Sequence, residues 1–163
     1  MMKWFTTIVF LFFVLINVQA QKRIPDAKLK TLKKEIVDIR SEIAKKDLTV
    51  ISFWATWCAP CKKELNAIAE VYEDWQEDYN MQLIAVTIDD QRMLSKVPGI
   101  VSTNWWDYTV LADEDSSLRN ALNITTIPRT LLVDNEGNVL YDHNGYKPGD
   151  ELELEEKLKA AQR

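Results

Sequence analysis

Cys58 and Cys61, separated by two residues, are the pair whose spacing most directly implies chemistry. On a helix this spacing puts both sulfurs within one turn, so they can close a small disulfide ring with little backbone movement. A cysteine at a helix start faces free backbone N–H groups and the positive end of the helix dipole. Such a setting lowers a thiol pKa from about 8.5 into the range of roughly 3.5–7.5. Cys61, one turn further in, is placed to resolve a mixed disulfide. The chemistry implied is thiol–disulfide exchange, with attack, mixed disulfide and intramolecular release. The alternative is an inert structural bridge, but a ring spanning three residues removes little unfolded-chain entropy.

The flanking elements must hold that pair. Thr49-Val50-Ile51-Ser52-Phe53-Trp54 is a β-branched and aromatic run that predicts a buried strand ending just before the cysteines. From Pro60 to about Trp75, Leu65, Ile68, Ala69, Tyr72 and Trp75 share one helical face. Pro60 suits the first turn, where a missing N–H costs little. Gln82–Ile88 reads as a second buried strand and Thr109–Leu111 as a third. Short helices are expected at 90–97, broken by Pro98-Gly99, and at 116–122. Thr130–Val133 and Val139–Tyr141 flank Asn135-Glu136-Gly137-Asn138, a hairpin turn. Asp150 with Glu153 reads as a capping pair ahead of a closing helix. Over 24–48, Leu29, Leu32, Ile36, Ile39 and Ile43 recur at helical steps, although 28–30 and 35–39 also read as two short strands. Strands alternating with helices, then a hairpin and a helix, predict an α/β fold on a mixed sheet.

Composition narrows the function classes. The chain has 163 residues and a net charge of -5, which argues against non-specific nucleic-acid binding through phosphate contacts. Two cysteines and one histidine cannot build a four-ligand Cys/His zinc site within one chain. The start reads as a cleavable secretory signal over residues 1–20: Lys3, an apolar run through Ile16, and a small-residue ending at Val18 and Ala20. An uncleaved anchor is the second choice. Its apolar part is short of the about 20 residues that span a bilayer. Residues 21–163 then form one domain, periplasmic or secreted.

Phe53-Trp54-Ala55-Thr56-Trp57-Cys58-Ala59-Pro60-Cys61 resembles the active-site segment of the thioredoxin fold nearly position for position. Thr126-Ile127-Pro128 is similar to that family's cis-proline loop, and Gly145 to a further family glycine near the site. The resemblance implies a central mixed β-sheet flanked by helices. It also implies a cis bond before Pro128 and a peptide-binding backbone at Ile127 beside Cys58. Trp57 and Pro60 join these as substrate-side residues. Cys61-Lys62-Lys63-Glu64, the signal segment and an inserted strand–helix unit at 82–101 are similar to the extracytoplasmic reductases of the ResA and TlpA type. That likeness implies an N-terminal β-hairpin over 24–39, against the helical periodicity, and reduction of protein disulfides in cytochrome c maturation.

Under this resemblance Cys58 is the nucleophile, Cys61 the resolving thiol, and Glu64 the residue that tunes the thiols and handles protons. A plain solvated helix glutamate is the alternative for Glu64. No dissociable cofactor is required, because the electrons reside in the cysteine pair. The partners implied are disulfide-bearing proteins, apocytochrome c among them, and a membrane thiol donor, with the chain a monomer. Two rivals remain: an oxidase or isomerase of the same fold, and a binding module without turnover. A peroxidase is more distant, since Trp54 stands where such enzymes place a threonine. The chain departs from thioredoxins proper at Ser52, where those carry a buried aspartate. Arg129 stands where the extracytoplasmic members carry a small hydroxyl residue. Trp54 is expected partly exposed, Trp105-Trp106 to pack the inserted unit, and His143 to lie in a loop.

Overall fold

The computed structural model describes residues 22–162; the expected signal over 1–20 lies outside them. Among these described residues, seven strands form one mixed sheet. They are β1 (Lys28–Thr31), β2 (Ile36–Asp38), β3 (Leu48–Trp54), β4 (Met81–Thr87), β5 (Thr109–Ala112), β6 (Arg129–Asp134) and β7 (Val139–Asn144). Their spatial order is β2-β1-β5-β4-β3-β6-β7. The pairs β3/β4 and β4/β5 are parallel, and the others are antiparallel. The helices are α1 (Ile39–Ile43), α2 (Ala59–Tyr79), α3 (Gln91–Leu94), α4 (Val97–Thr103), α5 (Ser117–Ala121) and α6 (Asp150–Ala161).

β3 lies inside this sheet between β4 and β6, and all seven of its residues are buried, as expected for a strand covered on both faces. Leu48, Val50 and Trp54 join the core beneath α2 and α6, with Leu65, Ile68, Leu83, Ala85, Leu132, Leu154 and Leu158. Ile51 and Phe53 point to the opposite core, filled by Ile24, Leu29, Ile39, Ile43, Leu118 and Leu131. Period-two alternation therefore feeds two cores from one strand.

The N-terminal segment forms the hairpin implied by family likeness, not the long helix its periodicity favours. β1 pairs antiparallel with β2, Leu29 facing Val37. Lys34 takes the left-handed turn position at φ 67°. Thr31 supports it by accepting the Lys33 and Glu35 N–H groups on its hydroxyl. Helical spacing survives only in the one-turn α1, where Ile39 and Ile43 are buried and Asp38 caps the Arg40 and Ser41 N–H groups.

Two further expectations change. Pro98-Gly99 does not break a helix: Pro98 sits in the first turn of α4, where proline is tolerated. Asp150 and Glu153 form no capping box, because Gly149 occupies the cap of α6 at φ 102° with no side-chain hydrogen bond. Asp150 instead accepts from the Lys147 N–H at 2.8 Å, and Glu153 accepts from the Tyr141 hydroxyl at 3.1 Å.

Candidate active site

Cys58 and Cys61 are joined in a disulfide. Cys58 is the N-cap of α2, its backbone extended and its sulfur accepting from the Cys61 N–H at 3.3 Å. The helix begins here because Pro60 belongs in a first turn and apolar residues recur on one face from Leu65 onward. Cys58 retains 5% of its surface and Cys61 none. Trp57, Ala59 and Pro60 around them are exposed, Trp57 by 64%. The outer cysteine thus keeps a small part of its surface, among side chains that are exposed.

The loop before Cys58 is held from below by a residue that sequence reasoning passed over. Asp89 is buried just beyond the end of β4. One carboxylate oxygen accepts from the Thr56 N–H at 2.8 Å and the other from the Thr56 hydroxyl at 2.9 Å. The Thr87 hydroxyl donates at 2.6 Å, while Lys62 Nζ donates to the Thr56 carbonyl at 3.0 Å. The only sequence signal was an acidic pair, Asp89-Asp90, at the foot of an apolar strand.

The Ile127–Pro128 bond is cis, as implied by the resemblance. β6 runs antiparallel to β3 with Arg129 opposite Phe53. Pro128 therefore lies at the end of the sheet where β3 delivers the chain to Cys58. Pro128 is buried and Ile127 half-buried. Gly145, at φ 85°, donates its N–H to the Pro128 carbonyl at 2.8 Å; the left-handed backbone explains glycine there. The Arg129 guanidinium pairs with Asp142, which also binds Lys22 at 2.9 Å, so this cation is spent within the sheet.

Glu64 is buried, not solvated. It accepts from the Ser52 hydroxyl at 2.8 Å and the Thr130 hydroxyl at 2.6 Å. Ser52 and Thr130 face each other across β3 and β6. A buried carboxyl thus lies on α2, one turn beyond Cys61, whereas the β3 position where thioredoxins proper carry one is serine. Burial raises its pKa above the usual carboxylate range, against the opposing pull of the two hydroxyls.

Three aromatic and histidine expectations need revision. Trp54 is completely buried, because it packs edge-on against Trp106 at 5.0 Å between ring centroids. Trp106 is core as expected, while its neighbour Trp105 is 88% exposed. His143 lies on β7 opposite Thr130 and bonds Asp150 through Nε2 at 3.1 Å. It was misplaced because β7 continues through the polar run Asp142-His143-Asn144.

A seven-stranded mixed sheet with helices, a cis-proline loop and a helix-capping Cys-x-x-Cys disulfide define an oxidoreductase of the thioredoxin fold. The chain belongs to the AhpC/TSA family, whose model matches residues 20–142. A solved thioredoxin-like protein from Porphyromonas gingivalis is 38% identical, superposing with a TM-score of 0.74 over 85% of this chain and 90% of that one. The thioredoxin-like protein YneN of Bacillus subtilis is 27% identical over 85% of this chain and 79% of its own length. The thiol-disulfide oxidoreductase ResA of Bacillus subtilis is 28% identical over 55% of this chain. In that last match the chain spans about half, 49%, of the relative.

Proposed function

We propose that this protein reduces disulfide bonds in other proteins outside the cytoplasm, in the manner of the reductases that serve cytochrome c maturation. The observation that carries the reading is Cys58 at the cap of α2 with its sulfur on the Cys61 N–H. In the reduced protein that N–H and the helix dipole favour the Cys58 thiolate. The thiolate attacks a substrate disulfide, forming a mixed disulfide and expelling one substrate thiolate. Cys61 then loses its proton and attacks the Cys58 sulfur, the second substrate thiolate leaves, and the internal disulfide closes. Two electrons pass to the substrate, and a thiol donor at the membrane restores the pair. Trp57, Pro60, Ile127 and Pro128 border the substrate, whose extended backbone pairs with that of Ile127. The protein works as a monomer, released from its signal.

Insulin or an apocytochrome c peptide serves as substrate. Wild type reduces it, and Cys58→Ser abolishes turnover; equal activity of the two defeats the catalytic claim. A potential measured against glutathione near those of strong periplasmic oxidants, at about −120 mV, overturns the reducing direction.

A further inference from the structure

Ser52, Thr130 and His143 are successive partners across β3, β6 and β7, so their side chains form one polar row on the same face of the sheet. The first two donate to Glu64. The third bonds Asp150 at the start of α6. Between Glu64 and His143 lies a cavity of about 10 Å³, lined by both residues with Thr130, Tyr141, Tyr146 and Asp150. That is room for about one water, with polar groups enough to hold it. Glu64 is 4% exposed, whereas the His143 side chain keeps 26% of its surface. The row therefore runs from the sealed carboxyl to an imidazole open to solvent.

We propose that His143, held by Asp150, carries protons between Glu64 and solvent through this cavity. The inference rests on the exchange reading above. As Cys61 attacks the mixed disulfide its thiol proton passes to the Glu64 carboxylate, and the Cys58–substrate bond breaks with its electron pair on the substrate sulfur. Glu64 then gives that proton through the cavity water to His143, which releases it to solvent, and solvent protonates the departing thiolate. The other groups facing the cavity are poorer carriers. Burial and Glu151 hold the Tyr146 hydroxyl up at about 12, and burial with Glu153 pushes Tyr141 higher still. Asp150 is fixed by the Lys147 N–H and lies near Lys147 Nζ. Glu151 is turned to Tyr146 and the Gly149 N–H. Tyr108, whose hydroxyl feels the Glu64 charge, has its pKa raised chiefly by burial.

A chromogenic aryl disulfide separates the steps, because the fully reduced protein releases one coloured thiolate on Cys58 attack and a second on resolution by Cys61. His143→Ala and His143→Gln are each expected to leave the first phase unchanged and slow the second about tenfold. Added imidazole should restore the second phase in His143→Ala, and the slowed phase should carry a larger solvent deuterium effect than wild type. A second phase at the wild-type rate in both variants overturns the relay. So does a slowed phase indifferent to imidazole and deuterium, which would make His143 a structural tie between β7 and α6. Absence of both phases in wild type sinks the exchange reading instead.

Discussion

Glu64 is the residue at which burial and charge conflict most directly. Its carboxyl is sealed between α2 and the sheet with two hydroxyl donors, and burial raises its pKa. A raised folded-state value means the native state holds this proton more tightly than the unfolded chain. The resulting stabilisation is complete below the carboxyl's unfolded value and is lost as pH climbs through the folded one. Urea midpoints taken across that interval should therefore fall with rising pH in wild type and flatten in Glu64→Gln. A parallel fall in the variant would place the titration elsewhere. The same substitution is expected to alter the pH dependence of cysteine alkylation, since a carboxylate near a thiolate disfavours the charged sulfur. Trp105 is the contrasting residue: at 88% exposure, Trp105→Ser should change stability by less than about 0.5 kcal/mol.

The loop from β3 into α2 depends on Asp89, three of whose accepted hydrogen bonds come from Thr56 and Thr87. Asp89→Ala leaves the buried Thr56 N–H without its partner and should cost about 3 kcal/mol. It should also shift the alkylation profile of Cys58, two residues from Thr56; wild-type alkylation with lowered stability would limit Asp89 to folding. β3, α2 and the cysteine pair were legible because a β-branched run gives way to helix formers at a paired-thiol motif. The cis-proline loop was legible only through the family likeness, since an Ile-Pro pair taken alone is ordinarily trans. Asp89 was not, since a lone aspartate after a strand looks like any turn residue until its partners are known. His143 escaped because its polar neighbours hide the continuation of β7. The N-terminal hairpin was read from the family likeness against a helical spacing, which gives way where β1 pairs with β2 and adds to β5.

At the scale of the whole molecule, one face of the sheet is closed largely from the chain's beginning. Ile24, Leu29, Ile39 and Ile43 are each essentially buried there, at about 1.5–3 kcal/mol apiece. Their sum rivals the entire stability of an ordinary domain, about 5–15 kcal/mol. A chain lacking residues 22–44 should lose its cooperative unfolding transition, measured by circular dichroism against urea; a sharp transition would show that the hairpin is dispensable. The cap at Cys58 has a consequence of another kind. Folding and electron transfer form a closed thermodynamic square, so any gap between the melting free energies of the dithiol and disulfide forms must reappear as voltage. About 1.4 kcal/mol of that gap equals about 30 mV. The helix tip contributes to that gap by favouring the Cys58 thiolate of the dithiol form. Comparing two denaturation curves therefore weighs this protein as an electron donor without any partner present.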